Sequence, residues 1–209
     1  MNGLAPNQPN VSLETLRVTL PAFEARLSEF LIEMGLNPGS LPVIDHAAVR
    51  LATSQQTDRL VREIAPISEN GTWFSRNEIH GRDICIFRLQ DPLTILGQEV
   101  YFLEVPYPKV GREYARVGWE HIEFTLRPST ITNAALHQLS EEQALATYRR
   151  EFDVAFPTFS LPPDVTHSAD SRRAAGEDFL NLLLNFEKSP DLIVRFHPRT
   201  IEEVVENRC

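Results

Sequence analysis

Cysteine is nearly absent from this chain. Its two cysteines, Cys85 inside an apolar run and Cys209 as the last residue, offer no disulfide framework, so a reducing cytosol is the expected setting and Cys85 reads as an inert buried thiol. No apolar run approaches the ~18 residues of a membrane span. The first sixteen residues carry neither Lys nor Arg, which a secretory leader would need. A soluble, cytoplasmic protein is expected, and the sequons Asn10-Val11-Ser12 and Asn70-Gly71-Thr72 then count as chance matches. Basic charge is also short: 20 Lys and Arg against 29 Asp and Glu give a net charge of −9. That argues against nucleic acid or an anionic membrane as partner, since both need a basic surface. A small-molecule substrate or ligand, or another protein, remains. The nine glycines form no Gly-x-Ser-x-Gly elbow, no Gly-x-Gly-x-x-Gly and no P-loop, so acyl transfer by that motif and the common nucleotide sites lose their usual signatures.

What is present is ordinary globular sequence, 42% hydrophobic and 23% charged over 209 residues, long enough to bury a sizeable core. After a loose tail to residue 10, Leu13, Leu16, Leu20, Phe23, Leu27, Phe30 and Met34 recur at spacings of three and four behind Ser12, a plausible N-cap. They predict one apolar helix face. Pro21 is expected to kink or divide this helix, and Gly35 and Pro38 to end it. A strand at 43–51 and a helix opening with a Thr53-x-x-Gln56 capping box follow, then strands at 67–74, 83–89 and 99–105. The pattern repeats beyond a loop at 106–117. A strand at 119–126 leads to helices at 132–139 and 140–152, the second with a Ser140-x-x-Gln143 box, then strands at 155–161, 178–187 and 191–197 and a last helical turn at 200–206. Residues 162–177, without apolar pattern, read as an excursion. His80, His137 and His167 read as solvated surface residues in turn, helix and loop.

Four of these strands sort their residues alike under the two-residue period. On one face stand Ala47, Val49 and Leu51, then Leu103 and Val105, Ile122 and Phe124, and Leu192, Val194 and Phe196. On the other stand His46 and Arg50, Glu104, His121 and Glu123, and Arg195 and His197. The second face, which by the same period includes Trp119, Phe102 and Ile193, is only partly wet, and unpaired charge there is unfavourable. A bound metal would offset this. Three imidazoles and one carboxylate suit a divalent Zn, Fe, Mn, Co or Ni and leave it a Lewis acid.

Most of these residues lie in the stretches Asp45-His46-Ala47-Ala48-Val49-Arg50, Phe102-Leu103-Glu104-Val105-Pro106, Gly118-Trp119-Glu120-His121-Ile122-Glu123 and Phe196-His197-Pro198-Arg199-Thr200-Ile201-Glu202-Glu203. Together they resemble the YecM family, a branch of the vicinal oxygen chelate (glyoxalase/bleomycin resistance/extradiol dioxygenase) superfamily, from about residue 36 to 205. The resemblance implies an α+β fold: paired βαβββ modules, 39–110 and 111–209, forming a cup-shaped mixed sheet with helices on its outer face, after an N-terminal tail and kinked helix at 1–38. It also implies metal ligands on the first and fourth strands of each module, here His46, Glu104, His121 and His197. Many catalytic members carry Glu where this chain has His197. Glu123 is then either a second carboxylate ligand or a general base, with an ion pair to Arg50 as the plainer alternative. Arg50 and Arg195 either grip an anionic substrate oxygen or pair with Glu123 and Glu104. Trp119 and Phe102 either line the cup or simply pack.

The function so implied is a metal-dependent isomerase, lyase or dioxygenase acting on a small molecule with neighbouring oxygens. The alternatives are a non-catalytic module that binds or sequesters a small molecule in the same cup, or a protein-interaction scaffold. Assembly within one chain or across a homodimer fits equally.

Overall fold

The computed structural model describes residues 11–206 apart from 80, 113, 115, 137 and 173–179. In chain order the elements are α1 (Leu13–Glu33), β1 (Ile44–Arg50), α2 (Ser54–Ile64), β2 (Ser75–Ile79), β3 (Arg82–Ile95), β4 (Gln98–Pro106), β5 (Gly118–Thr125), α3 (Asn133–Leu136), α4 (Glu141–Ala155), β6 (Thr166–Arg172), β7 (Asn181–Ser189), β8 (Leu192–His197) and α5 (Ile201–Glu206). The eight strands form one sheet in the order β2-β3-β4-β1-β5-β8-β7-β6. Only β1–β4 and β5–β8 are parallel pairs; the remaining neighbours are antiparallel. From the central β1–β5 pair outward, each side therefore repeats the other. The fold is α+β, with a mixed sheet and an N-terminal helix.

α1 starts where the spacing predicts. Ser12 accepts the Thr15 N–H at 3.1 Å while Thr15 Oγ1 accepts the Ser12 N–H at 2.7 Å, a reciprocal cap. The helix then runs unbroken through Pro21 to Glu33. Leu16, Phe23, Leu27, Phe30 and Leu31 are all buried along it, and at about 1.5–3 kcal/mol per large apolar side chain this outweighs the lost backbone hydrogen bond. Gly35 ends it at φ +72°, and a Cβ there would lie 2.1 Å from the Thr158 carbonyl oxygen, so no other residue fits unshifted. That close approach also explains why 156–161 is not the expected strand. Its polar groups bond to the end of α1, Ser160 N–H to Met34 O at 3.0 Å and Thr158 Oγ1 to Gly35 O at 2.7 Å. Its aromatics join the core, Phe159 lying 5.0 Å from Phe152 and 5.2 Å from Phe186.

Two further strands differ from expectation. Residues 67–74 are turns rather than strand, because Pro66 has no N–H to offer and Asn70 and Gly71 sit at φ 61° and 67°. The strand begins at Ser75. Within the presumed excursion, Thr166–Arg172 forms the edge strand β6 on β7; its polar sequence carries no apolar period because an edge strand exposed to water needs none. His167 lies there, exposed, while His80 and His137 lie outside the described residues. α4 opens with the expected box, Ser140 Oγ accepting from Gln143 N–H at 3.3 Å and Gln143 Oε1 from Ser140 N–H at 3.2 Å. At α2 the Gln56 side chain reaches Ala52 N–H instead of Thr53 N–H.

α1, α2 and α4 pack on one face of the sheet, enclosing Phe87, Phe124, Tyr148, Phe152, Phe186 and Phe196. The short α5 lies on the other face, where Ile201 joins a small separate cluster of Ile84, Ile86 and Phe102. Among the described residues no helix is long and apolar enough to cross a membrane.

Candidate metal centre

Two irregularities in the β1–β5 pair set the site. Ile44 stands opposite Phe124 but His46 opposite Glu123, so Asp45 is an extra residue; Ala48 stands opposite His121 but Val49 opposite Trp119, so Glu120 is an extra residue on the other strand. Each β-bulge resets the alternation by one. His46, His121 and Glu123 consequently face away from the helices as the sequence predicts, but Trp119 does not. It turns to the helix side, stacks on Phe23 at 5.8 Å and donates Nε1–H to the Leu16 carbonyl at 2.9 Å. Glu120, assigned to the opposite face by strict alternation, instead joins the charged side and pairs with Arg50.

The charged face is dry. His46 and His121 are 2% exposed and Glu123 is 5% exposed. His46, His121 and Glu123 each offer a ligand atom within 4.8 Å of the others, a His-His-Glu cluster that can hold a metal. His46 Nε2 has no hydrogen-bond partner among the described residues, yet it lies 3.8 Å from Glu104 Oε2 and 3.7 Å from Glu123 Oε2. Both separations are too long for hydrogen bonds. They are close to the roughly 3.4 Å between ligands that share one ion at about 2.1 Å. His121 Nε2 is 3.4 Å from Glu123 Oε1. Arg195 Nη1 donates to both, at 3.0 Å to the imidazole and 2.8 Å to the carboxylate. A guanidinium has no lone pair to give, so His121 Nε2 accepts and its proton sits on Nδ1. His197 Nε2 lies 3.2 Å from Glu123 Oε2. Glu123 is thus the hub of the cluster, and its ion-pair partner is Arg195 rather than Arg50.

Sequence reasoning gave Asp45 no role. Its Oδ2 is 2.7 Å from His46 Nδ1, and both its oxygens accept the Ile201 N–H at the start of α5, at 2.9 and 3.0 Å. A carboxylate on the far nitrogen of an imidazole fixes which nitrogen faces the site. The available signal was an acid immediately before two of the cluster histidines, Asp45-His46 and Glu120-His121.

Burial works against charge throughout the cluster, and the charges overcome it in most places. For His46, burial alone would favour the neutral ring, but Glu123, Asp45 and Glu104 hold its pKa up to about 9. Burial would raise the Glu123 carboxyl, yet His46, His121 and Arg195 hold it well below the usual carboxylate range. At His197 burial prevails over the pull of Glu123, and its pKa is lowered. Three carboxylates, Asp45, Glu104 and Glu123, line the cavity together with the guanidiniums of Arg195 and Arg82. A proton on His46 or a bound cation in its place answers the remaining negative charge.

The cluster opens into a cavity of about 240 Å³ whose walls include Asn77, Ile79, Arg82, Ile84, Ile86, Leu183, Ile201 and Val204. Arg82 donates to the Tyr107 carbonyl at 3.3 Å; neither it nor Asn77 stood out in sequence, since both come from the β2–β3 hairpin. Phe102 backs this wall, edge-on to Phe74 at 5.3 Å and packed with Ile84 and Ile86. Arg50 stands outside the lining, its guanidinium 5.0 Å above the Tyr114 ring.

A mixed sheet with an apolar core on one face and a buried His-His-Glu cluster on the other is a candidate metal-binding fold. The chain belongs to the YecM family, whose model, described as YecM protein, matches residues 12–208. Protein YecM of Escherichia coli (strain K12) is 31% identical over 195 residues, which span 92% of each chain. An uncharacterized protein of Haemophilus influenzae (strain ATCC 51907 / DSM 11121 / KW20 / Rd) is 30% identical over 115 residues, 55% of this chain and 58% of that one. A solved structure described as structural-genomics protein EC4020 superposes with a TM-score of 0.68 at 27% identity, covering 94% of this chain and 93% of that one, and has the same fold.

Proposed function

We propose that this chain is a metal-dependent enzyme of the vicinal oxygen chelate type, acting on a small molecule with neighbouring oxygens. The observation that carries the reading is His46 Nε2, buried, without a hydrogen-bond partner among the described residues, and 3.7–3.8 Å from two carboxylates. His46 and His121, one from each of the modules 39–110 and 111–209, would hold the ion together with Glu123, and Glu104 would complete the set. His197, also a candidate ligand, acts in this reading through its contact with Glu123. A bound divalent ion would supply Lewis acidity toward the paired oxygens of the substrate.

The chain's own residues do the rest. Asp45 fixes the His46 ring, and the isoleucines with Val204 exclude water from the inner cavity. Arg82 and Asn77 offer donors to the substrate from one side. Glu104 accepts no hydrogen bond among the described residues, so its carboxylate would be available to take a proton from a bound substrate.

A second reading, a non-catalytic module binding a small molecule in the same cup, is favoured by one observation. Glu123, the expected base, is held by three partners and lowered well below the range in which carboxylates exchange protons near neutrality. Elemental analysis of untagged protein tests the metal that both readings share. Stoichiometric transition metal that is lost in His121→Ala supports it, and protein that neither contains nor tightly binds a divalent ion overturns it. Turnover of hydroxy-carbonyl or catechol substrates by the loaded protein then separates enzyme from binding module.

A further inference from the structure

The register of the central strands relates the two halves residue by residue. His46 faces Glu123 and Ala48 faces His121 across β1–β5, Glu104 lies beside Ala48 on β4, and Arg195 lies beside Glu123 on β8. Exchanging the halves carries His46 onto His121, Ala48 onto Glu123 and Glu104 onto Arg195. The bulge residues Asp45 and Glu120 exchange as well, each directly before its histidine. The counterpart of the Glu104 carboxylate is therefore a guanidinium, while His197 lies two residues further along, beside Thr125. The second half restores the missing carboxylate one strand inward, as Glu123 in the place of Ala48.

Arg195 does not merely stand near the cluster. Its Nη1 occupies the one acceptor site of His121 Nε2 and also lies on Glu123 Oε1, and its Nε is held by Asn185 Oδ1 at 2.9 Å. The single lone pair of His121 Nε2 cannot serve an ion and a guanidinium at once, and the two carry charge of the same sign. We propose that Arg195 is a resident counter-cation that a divalent ion must displace from His121 in order to bind. It is a positioning residue that sets metal occupancy. This inference rests on the metal reading above.

Calorimetric titration of purified protein with Mn²⁺ tests it. Arg195→Gln removes both the charge and the fork and is expected to bind Mn²⁺ about tenfold tighter or more, the scale of one lost charge-assisted hydrogen bond. Arg195→Lys keeps the charge but cannot bridge both acceptors in a planar fork, and is expected to bind a few-fold tighter than the unaltered protein. Circular dichroism checks folding; if Glu123 without its cation prevents Arg195→Gln from folding, Arg195→Lys carries the test. Lysine variant affinity equal to that of the unaltered protein would show a charge effect alone and overturn displacement. Weaker binding in either variant would show that Arg195 prepares Glu123 for the ion, and overturn it too. Those outcomes leave the metal site standing, whereas no Mn²⁺ binding by the unaltered protein or the variants overturns both readings.

Discussion

Asp45 connects the C-terminal helix to the cluster: its carboxylate takes the Ile201 N–H at 2.9 Å and sits 2.7 Å from His46 Nδ1. The relationship has two measurable ends. Asp45→Ala should weaken divalent-ion binding about 10–100-fold, the usual effect of losing the carboxylate behind a ligating histidine. It should also speed hydrogen exchange at the Ile201 amide. Titration calorimetry and exchange mass spectrometry read the two ends; unchanged metal affinity would show that His46 is oriented by its packing alone.

Trp119 belongs to the core and not to the cup. Replacing it with Ala should lower the unfolding free energy by about 3–5 kcal/mol, the range for a large buried aromatic, and leave metal stoichiometry in the folded fraction unchanged. Denaturant melts and elemental analysis give both numbers. A variant of normal stability that loses metal would place the indole at the site after all.

Asp191 ties α1 and the 107–117 loop to the β7–β8 turn through Arg26 at 3.0 Å and Arg116 at 3.0 Å. Burial would raise its carboxyl, but Arg26, Arg116 and Ser189 outweigh this and lower it. A carboxyl that is lower in the folded than in the unfolded chain contributes stability fully above its unfolded value of about 3.9. That contribution disappears as pH falls through the folded value. The stability gap between the unaltered protein and Asp191→Asn should therefore be largest near neutrality and shrink below about pH 4. A gap that stays constant from pH 7 to pH 3 would rule the linkage out.

Much of this was legible in sequence because period and capping are local. The order of elements, the start of α1, the α4 box and the gathering of ionisable residues on β1, β4, β5 and β8 all follow from spacing. The bulges at Asp45 and Glu120 could not be read, since a single extra residue leaves no mark in composition yet exchanges the faces of Trp119 and Glu120. Nor could β6, whose polar edge carries no apolar period. Residues 156–161 misled in the opposite sense, being apolar enough for a strand but drawn to the end of α1 by Gly35 and Thr158. The place of Arg195 is a matter of register between strands, which only pairing reveals.

In the proposed centre His46, His121 and Glu123 hold one divalent ion. Anomalous diffraction from crystals grown with Mn²⁺ tests it most directly. A single strong peak is expected within about 2.0–2.3 Å of His46 Nε2, His121 Nε2 and a Glu123 oxygen, with the Arg195 guanidinium moved off His121. A cup without a peak while Arg195 still bridges His121 and Glu123, or a peak held by other residues, would contradict it.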